Sequence, residues 1–337
     1  MTKTARKERH IWLDTMITLV ALELMSYFYY GMRAVVLGGV CISVSLITEM
    51  ICLRFMNRRF TADDLTCTSD ALIIALMMPA TMDYGIAGIA CIFAVVAAKN
   101  VFGGRRNIIF SPAAAAYIFM LTSWEKKLLL YPQPHVQTGI FDEPETLVNS
   151  ASYVYNTTGK MEYTDFELLM GNFSGPAGSV SILLLIISAA MLIFRRDISA
   201  GAFTGTIIGT AFLSYIVPAS PTAEIGYTFA TNMVLFAAVY IISDRRVAPK
   251  RGYFAFFYGL FIAVFSYVIV ITTGKENAIV IVSVLFTPIA LGIKNLEKKI
   301  ELADAEVSEE KTAAAEVDSI AAENDFSEEK TEDTSNE

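Results

Sequence analysis

Charge is scarce in this chain, and so are histidine and cysteine. Only 18% of its 337 residues are Asp, Glu, Lys or Arg, against about 25% in soluble globular domains, which excludes a solvent-bathed surface over most of its length. The two histidines, His10 and His135, stand far apart, so no His/Cys metal centre is expected. The four cysteines (Cys41, Cys52, Cys67, Cys91) lie in or beside apolar runs, which argues against a disulfide framework. Neither a Walker phosphate loop nor a dinucleotide fingerprint occurs. No cleavable leader is expected, because the basic segment Met1–His10 leads straight into one apolar run and then more.

What is abundant is apolar sequence: 54% of residues are hydrophobic and the mean hydropathy is +0.50. Runs of roughly 18–20 residues recur, enough to cross about 30 Å of hydrocarbon as helix. The pattern predicts an all-α polytopic membrane protein with ten transmembrane helices, near 12–30, 33–54, 65–80, 84–99, 109–124, 177–194, 199–217, 225–243, 253–272 and 277–294. With the N-terminus inside, 19 cationic residues fall on cytoplasmic segments and 5 on outer ones. That asymmetry predicts a multi-pass protein of the cell (inner or plasma) membrane with both termini cytoplasmic.

Four regions follow. Residues 1–124 and 177–296 are two five-helix membrane halves, 125–176 is a long extracytoplasmic loop between helices 5 and 6, and 297–337 is an acidic cytoplasmic tail. The stretch from Ile300 to Glu337 holds 14 acidic residues and 2 lysines, a net charge of −12 in a chain whose total is −8. So charged and so poor in apolar residues, it is expected to be disordered. Five crossings per half make the halves inverted with respect to each other. A faint internal match accompanies this: "TCTSDALIIALMMPA" in the third helix and "FATNMVLFAAVYIIS" in the eighth each set a hydroxyl and then Asp or Asn (Ser69–Asp70, Thr231–Asn232) before an apolar run. In "AGAFTGTIIGTAF", Gly201, Gly205 and Gly209 share one helix face, a close-packing surface for another helix.

Ionisable residues within spans are costly and tend to be paired or to line a polar route. Glu23, Glu49 and Asp70 are therefore ion-pathway candidates, each with a structural pairing as the alternative; for Glu49 the nearby Arg54 and Arg58 are the expected partners. On the cytoplasmic side "NVFGGRRN" supplies a glycine turn, and "FSPAAAAY" opens the fifth helix with Ser111 as cap and Pro112 at its first position. One reading is a well-made turn with snorkelling arginines. The other is that Gly103 and Gly104 let backbone approach a ligand at the helix start.

The order of motifs carries a resemblance. "TADDLTCTSDALIIALMMPATM", "AKNVFGGRRNIIFSPAAAAYIFML", "LLMGNFSGPAGSVSILLLI" and "IISDRRVAPKRGYFAFFYGL" resemble, in sequence order, the landmarks of the D subunit of Rnf electron-transport complexes and of the B subunit of sodium-translocating NADH:quinone reductases. The family's "FNPA" reads "FSPA" here, and its "TDPVTSP" element reads "SDRRVAPK", keeping Asp244, a further ion-pathway candidate, and Pro249. The resemblance implies a ten-helix flavoprotein subunit carrying FMN. In the family, FMN is joined by a phosphoester to a threonine of the outer loop within a pattern like T-S-A-T-P. Here "NSAS" stands at that place, making Ser152 the candidate acceptor, with Thr157 and Thr158 behind it; the proline is replaced by Tyr153. A second flavin such as riboflavin near Gly103, Gly104, Asn107, Phe110 and Ser111 is left open. Loop aromatics (Phe141, Tyr153, Tyr155, Tyr163, Phe166) are able to pack on an isoalloxazine or simply on one another.

The expected function is that of a membrane subunit passing electrons through flavin, coupled to Na+ or H+ transport and not catalytic alone. Its expected partners are the other subunits of an Rnf-like complex, a flavin transferase and the lipid bilayer, with no nucleic acid. The alternative is a non-redox transporter or channel with the same inverted-repeat fold.

Overall fold

A computed structural model describes residues 3–104, 108–136, 139–142, 146–217, 225–300 and 302–303. Residues Met1–Ala290 form one compact unit and Leu291–Glu337 another. In the second unit the described residues are helical; residues 304–337 of the acidic tail lie outside the described part.

In the first unit, the helices α1 (Lys3–Tyr30), α2 (Met32–Phe55), α3 (Thr66–Met77), α4 (Tyr84–Phe93) and α5 (Pro112–Leu128) precede a short antiparallel hairpin, β1 (Leu130–Pro132) with β2 (Leu147–Asn149). Two short helices follow, α6 (Ala151–Thr158) and α7 (Asp165–Met170). Then come α8 (Ile182–Phe194), α9 (Ala200–Ile216), α10 (Ile225–Thr231), α11 (Val234–Ala237), α12 (Gly252–Thr273) and α13 (Ala278–Leu285). A last helix begins at Thr287. Both α4 and α11 continue as π-helix, over Ala94–Asn100 and Ala238–Ile242.

Among the described residues, three helical segments are long and apolar enough to cross a membrane unbroken: Arg9–Tyr30, Met32–Phe55 and Gly252–Thr273. Several expected crossings are instead interrupted, two of them next to a proline. At the end of α3, Met78 is extended (φ −91, ψ 160) because it precedes Pro79, which disfavours helical backbone in its predecessor. Between α10 and α11, Met233 adopts a left-handed conformation with φ 30. Trp124 (φ −137, ψ 46) kinks α5, and α13 stops at Phe286, two residues before Pro288.

The distribution of polarity is inverted relative to a water-soluble protein. Leu24 and Phe28 of α1 are 63% and 65% exposed, and Phe257, Phe261 and Phe265 repeat along one exposed face of α12. The interior meanwhile holds Glu49, Lys99, Asp70 and Arg33. Such continuous apolar exposure marks a lipid-facing surface, and the buried charges are those a membrane interior forces into pairs.

The glycine stripe of α9 packs on α12. A Cβ at Gly205 would stand 2.1 Å from the Phe256 carbonyl oxygen, and one at Gly259 would stand 2.2 Å from that of Ala202. Only hydrogen fits at either position, so two helix backbones lie in direct contact.

The described residues of the segment 125–176 are folded rather than merely polar. Tyr131, Tyr155 and Phe173 are fully buried within it. The capping box of Thr164 and Glu167 opens α7, and those bonds hold the Glu167 carboxyl below its usual range. Arg33, at the start of α2, donates to the carbonyls of Gly139, Asp142 and Thr81, and its guanidinium stands 5.6 Å from the Tyr84 ring. The Tyr29 hydroxyl donates to the Met170 carbonyl at 2.8 Å. The loop is thereby fastened to the α1–α2 junction.

Candidate functional site

Three groups of the sequence-nominated residues fall at distinct places: around α6, at the Gly103 turn, and among the buried charges. Ser150 caps α6, its Oγ accepting from the Tyr153 N–H at 3.1 Å, and Gly159 (φ 69) ends the helix. This helix turns inward. Tyr155 lies against Tyr227 with ring centroids 4.3 Å apart, and Ser152 is 1% exposed. The Ser152 hydroxyl donates to the Thr231 carbonyl at the break between α10 and α11. One turn on, Asn156 Nδ2 donates to Asn232 Oδ1 at 2.6 Å and to the Gly274 carbonyl at 3.2 Å. The structure thus brings together Ser152 and the Thr231–Asn232 pair, which the sequence raised separately. Phe141 and Phe166 stand apart from this packing, 88% and 69% exposed.

Beside them lies Glu276, buried between α12 and α13, whose Oε1 accepts from the Tyr131 hydroxyl at 2.6 Å. Burial pushes its carboxyl above the usual range, while the hydroxyls of Ser150, Tyr131 and Ser152 pull the other way. Nothing in the sequence pattern singled out Glu276. The only signal was its place just ahead of the apolar run "NAIVIVSVL", which resembles an ordinary interfacial charge.

At the Gly103 turn, Gly103 (φ 100) and Gly104 (φ 76) both occupy the left-handed region, which explains the glycines. A Cβ at Gly104 would meet nothing closer than Asn100 Oδ1 at 3.6 Å. Gly104 is nevertheless buried, with Arg58 Nη1 next at 3.9 Å, and of the two glycines only Gly103 is exposed. Phe110 packs edge-on against Phe102, centroids 5.4 Å apart. Ser111 stands at the N-cap position with Pro112 at N1, but its hydroxyl makes no capping bond, contrary to expectation; its extended backbone (φ −60, ψ 120) and the proline suffice to start α5. Asn107 lies outside the described residues.

The buried charges are mostly paired. Glu49 meets neither Arg54 nor Arg58: its Oε1 accepts from Lys99 Nζ at 2.8 Å and its Oε2 from Asn100 Nδ2 at 3.1 Å, with both charged side chains 1% exposed. The π-helical turn places Lys99 and Asn100 on the inner face. Asp70 receives a bidentate fork from Arg246, at 3.0 and 2.5 Å, and the same guanidinium binds Asp244 through Nε. Asp244 also accepts from the Arg246 backbone N–H at 2.8 Å, which fixes the "SDRR" turn. Glu23 differs. Its Oε1 is buried without a hydrogen-bond partner, and that carboxylate fills the space where a Cβ on Gly38 would stand, 2.6 Å away. Asp14 binds Arg195 at 2.7 Å, and Asp197 beside it has its carboxyl pushed up to about 6, first by desolvation and then by Asp14. Among the described residues no group of three His, Cys, Asp or Glu is arranged to hold a metal.

An apolar exterior, a charged interior and interrupted helices define a membrane-embedded, mostly helical protein. The chain belongs to the NQR2, RnfD, RnfE family, whose model matches residues 1–293. The D subunit of the Na(+)-translocating ferredoxin:NAD(+) oxidoreductase complex of Acetobacterium woodii is 23% identical over 241 residues, covering 71% of this chain and 73% of the relative. The D subunit of the ion-translocating oxidoreductase complex of Shewanella piezotolerans is 26% identical, over 78% of this chain and 85% of its own. The B subunit of the Na(+)-translocating NADH-quinone reductase of Yersinia pestis is 23% identical, over 64% and 55%.

Proposed function

We propose that the chain is the membrane subunit of an Rnf-type ion-translocating electron-transport complex, in which electrons cross the membrane by way of flavin and drive Na+ or H+. The family match over residues 1–293 carries this reading, and the relatives' names, all subunits of ion-translocating oxidoreductases, support it. In it the chain works with other subunits and is not catalytic alone. Ten crossings in two inverted halves, both termini in the cytoplasm and residues 125–176 outside, complete the reading. Bound flavin would supply the one-electron chemistry; the protein supplies spacing, orientation and electrostatics.

The two places suggested for flavin fit unequally. At this turn the Gly103 backbone is exposed beside the Phe102–Phe110 pair, which supports a planar, polar ligand there, although Gly104 is buried. A phosphoester at Ser152 does not fit the folded α6, because the hydroxyl is buried and committed to Thr231. The exposed aliphatic hydroxyls of that helix are those of Thr157 and Thr158, each donating to a carbonyl four residues back. This burial favours a second reading in which the chain conducts ions with no covalent flavin. The test is to express the chain with a flavin transferase, denature it and look for in-gel flavin fluorescence in wild type, Ser152→Ala and Thr157→Ala/Thr158→Ala. Fluorescence lost in one variant identifies the acceptor. No covalent or released flavin in any sample refutes the flavoprotein reading.

A further inference from the structure

Two buried thiols meet at the seam between α2 and α4. Cys41 and Cys91 are each 0% exposed, and both are free. The two helices lie close along this seam and run in the same direction. A Cβ at Gly88 of α4 would stand 3.8 Å from Val44 Cγ2 of α2. Eight residues beyond each cysteine, Glu49 Oε1 meets Lys99 Nζ at 2.8 Å. On the same seam the Cys41 thiol donates to the Cys91 sulfur, which accepts from the Ser45 hydroxyl as well.

This arrangement makes the two cysteines unequal. Negative charge that builds on a sulfur during attack is stabilised by donors aimed at it, and two are aimed at Cys91. Cys41 is the neighbour placed to react second. Glu23 stands close by: its buried Oε1 has no hydrogen-bond partner and lies against Gly38, one turn before Cys41 on α2. The dithiol thus has a proton acceptor at hand that is not engaged by a donor. Full burial shuts out glutathione and other bulky or charged oxidants, whereas hydrogen peroxide is uncharged and little larger than water.

We propose that Cys41 and Cys91 form a reversible disulfide, a redox modification site inside the helical bundle that takes a small neutral peroxide as its oxidant. The Cys91 sulfur attacks one peroxide oxygen and the O–O bond breaks. The Cys91 proton leaves with the departing oxygen as water, and Cys91 becomes a sulfenic acid. The Cys41 sulfur then displaces that hydroxyl: the S–O bond breaks, the S–S bond forms, and the Cys41 proton leaves in a second water. Each sulfur gives up one electron and the peroxide takes both. A disulfide of about 2.05 Å is shorter than any thiol–thiol contact, so its closure draws α2 onto α4 along the seam that holds Glu49 to Lys99. The site goes beyond the proposed electron-transfer role and does not rest on it.

The experiment exposes the full-length chain, purified in detergent under argon, to hydrogen peroxide. The chain is then denatured and alkylated with a maleimide–polyethylene glycol, so that each free thiol adds one step in gel mobility. Wild type, with four cysteines, is expected to fall from four steps to two and to return to four with dithiothreitol. Peptide mass spectrometry is expected to find Cys41 joined to Cys91. Cys91→Ser is expected to leave Cys41 a free thiol, and Cys41→Ser to hold Cys91 as a sulfenic acid that dimedone traps. Four free thiols in peroxide-treated wild type overturn the inference, as does a disulfide joining any other pair. Loss of two thiols that persists in either folded serine variant overturns it too. A dimedone adduct on Cys41 in place of Cys91 overturns the assignment of the nucleophile. If both variants fail to fold, the linked peptide from wild type decides alone.

Discussion

Replacing Lys99 by Met leaves Glu49 in the protein interior with only the Asn100 amide for company. The pair stands at 2.8 Å with both side chains 1% exposed. At an effective dielectric of about 20, the attraction at that distance is roughly 6 kcal/mol, and it offsets a desolvation penalty of several kcal/mol per ion. The intact pair therefore contributes little net stability. Breaking it from one side costs about 3–5 kcal/mol, because the surviving charge has no partner. Glu49→Gln and Lys99→Met should each lower the stability of the purified chain by that amount in an SDS-unfolding titration. The double variant should recover most of the loss. If Glu49 only pairs, the double variant also keeps redox-driven ion transport in vesicles. Single variants with wild-type stability would show that the pair is not shielded from water. A stable double variant that no longer transports would place Glu49 on the ion route instead.

Two further outcomes follow from the packing and the titrating groups. Gly205→Ala forces the α9 and α12 backbones apart, since the new methyl meets the Phe256 carbonyl; a loss of about 1–3 kcal/mol is expected. Gly39→Ala, with nothing within 4 Å of the added carbon, should gain roughly 0.5–1 kcal/mol, and equal effects in the two variants contradict the direct backbone contact. Asp197 titrates near 6 in the folded chain against 3.8 unfolded. The folded state thus holds its proton more tightly, and the associated stability is present below pH 3.8 and lost as pH rises through about 6. Asp197→Asn should melt higher than wild type above that range, and the gap should close in acid; a gap independent of pH contradicts the assignment.

Much of the helical framework was legible because apolar length is a robust signal. The runs that became α1, α2 and α12 are long and unbroken, and the glycine spacing of α9 gave away its packing face. Interruptions were less legible. Pro79 explains the end of α3 in hindsight, but the left-handed backbone of Met233 carries no local mark. Pairing was misread where the partner is remote: Arg54 is five residues from Glu49, yet Lys99, fifty residues away, is the one the π-helical turn swings inward. Burial of Ser152 was equally hidden, since a serine in a polar loop reads as exposed until α6 folds Tyr155 and Ser152 onto α10. Glu276 escaped notice for a related reason. An acid at the lip of a crossing resembles a surface charge, and only the assembled helices show that water is excluded from it.

The central claim, that this chain is a subunit through which electron transfer drives ions across a membrane, is most directly tested in inside-out vesicles from cells lacking it. A voltage-sensitive dye reports charge movement on addition of an electron donor and acceptor, with and without the chain restored. Redox-driven charge movement that disappears without the chain and returns with it is the expected result; charge movement of the same size in its absence would contradict the account.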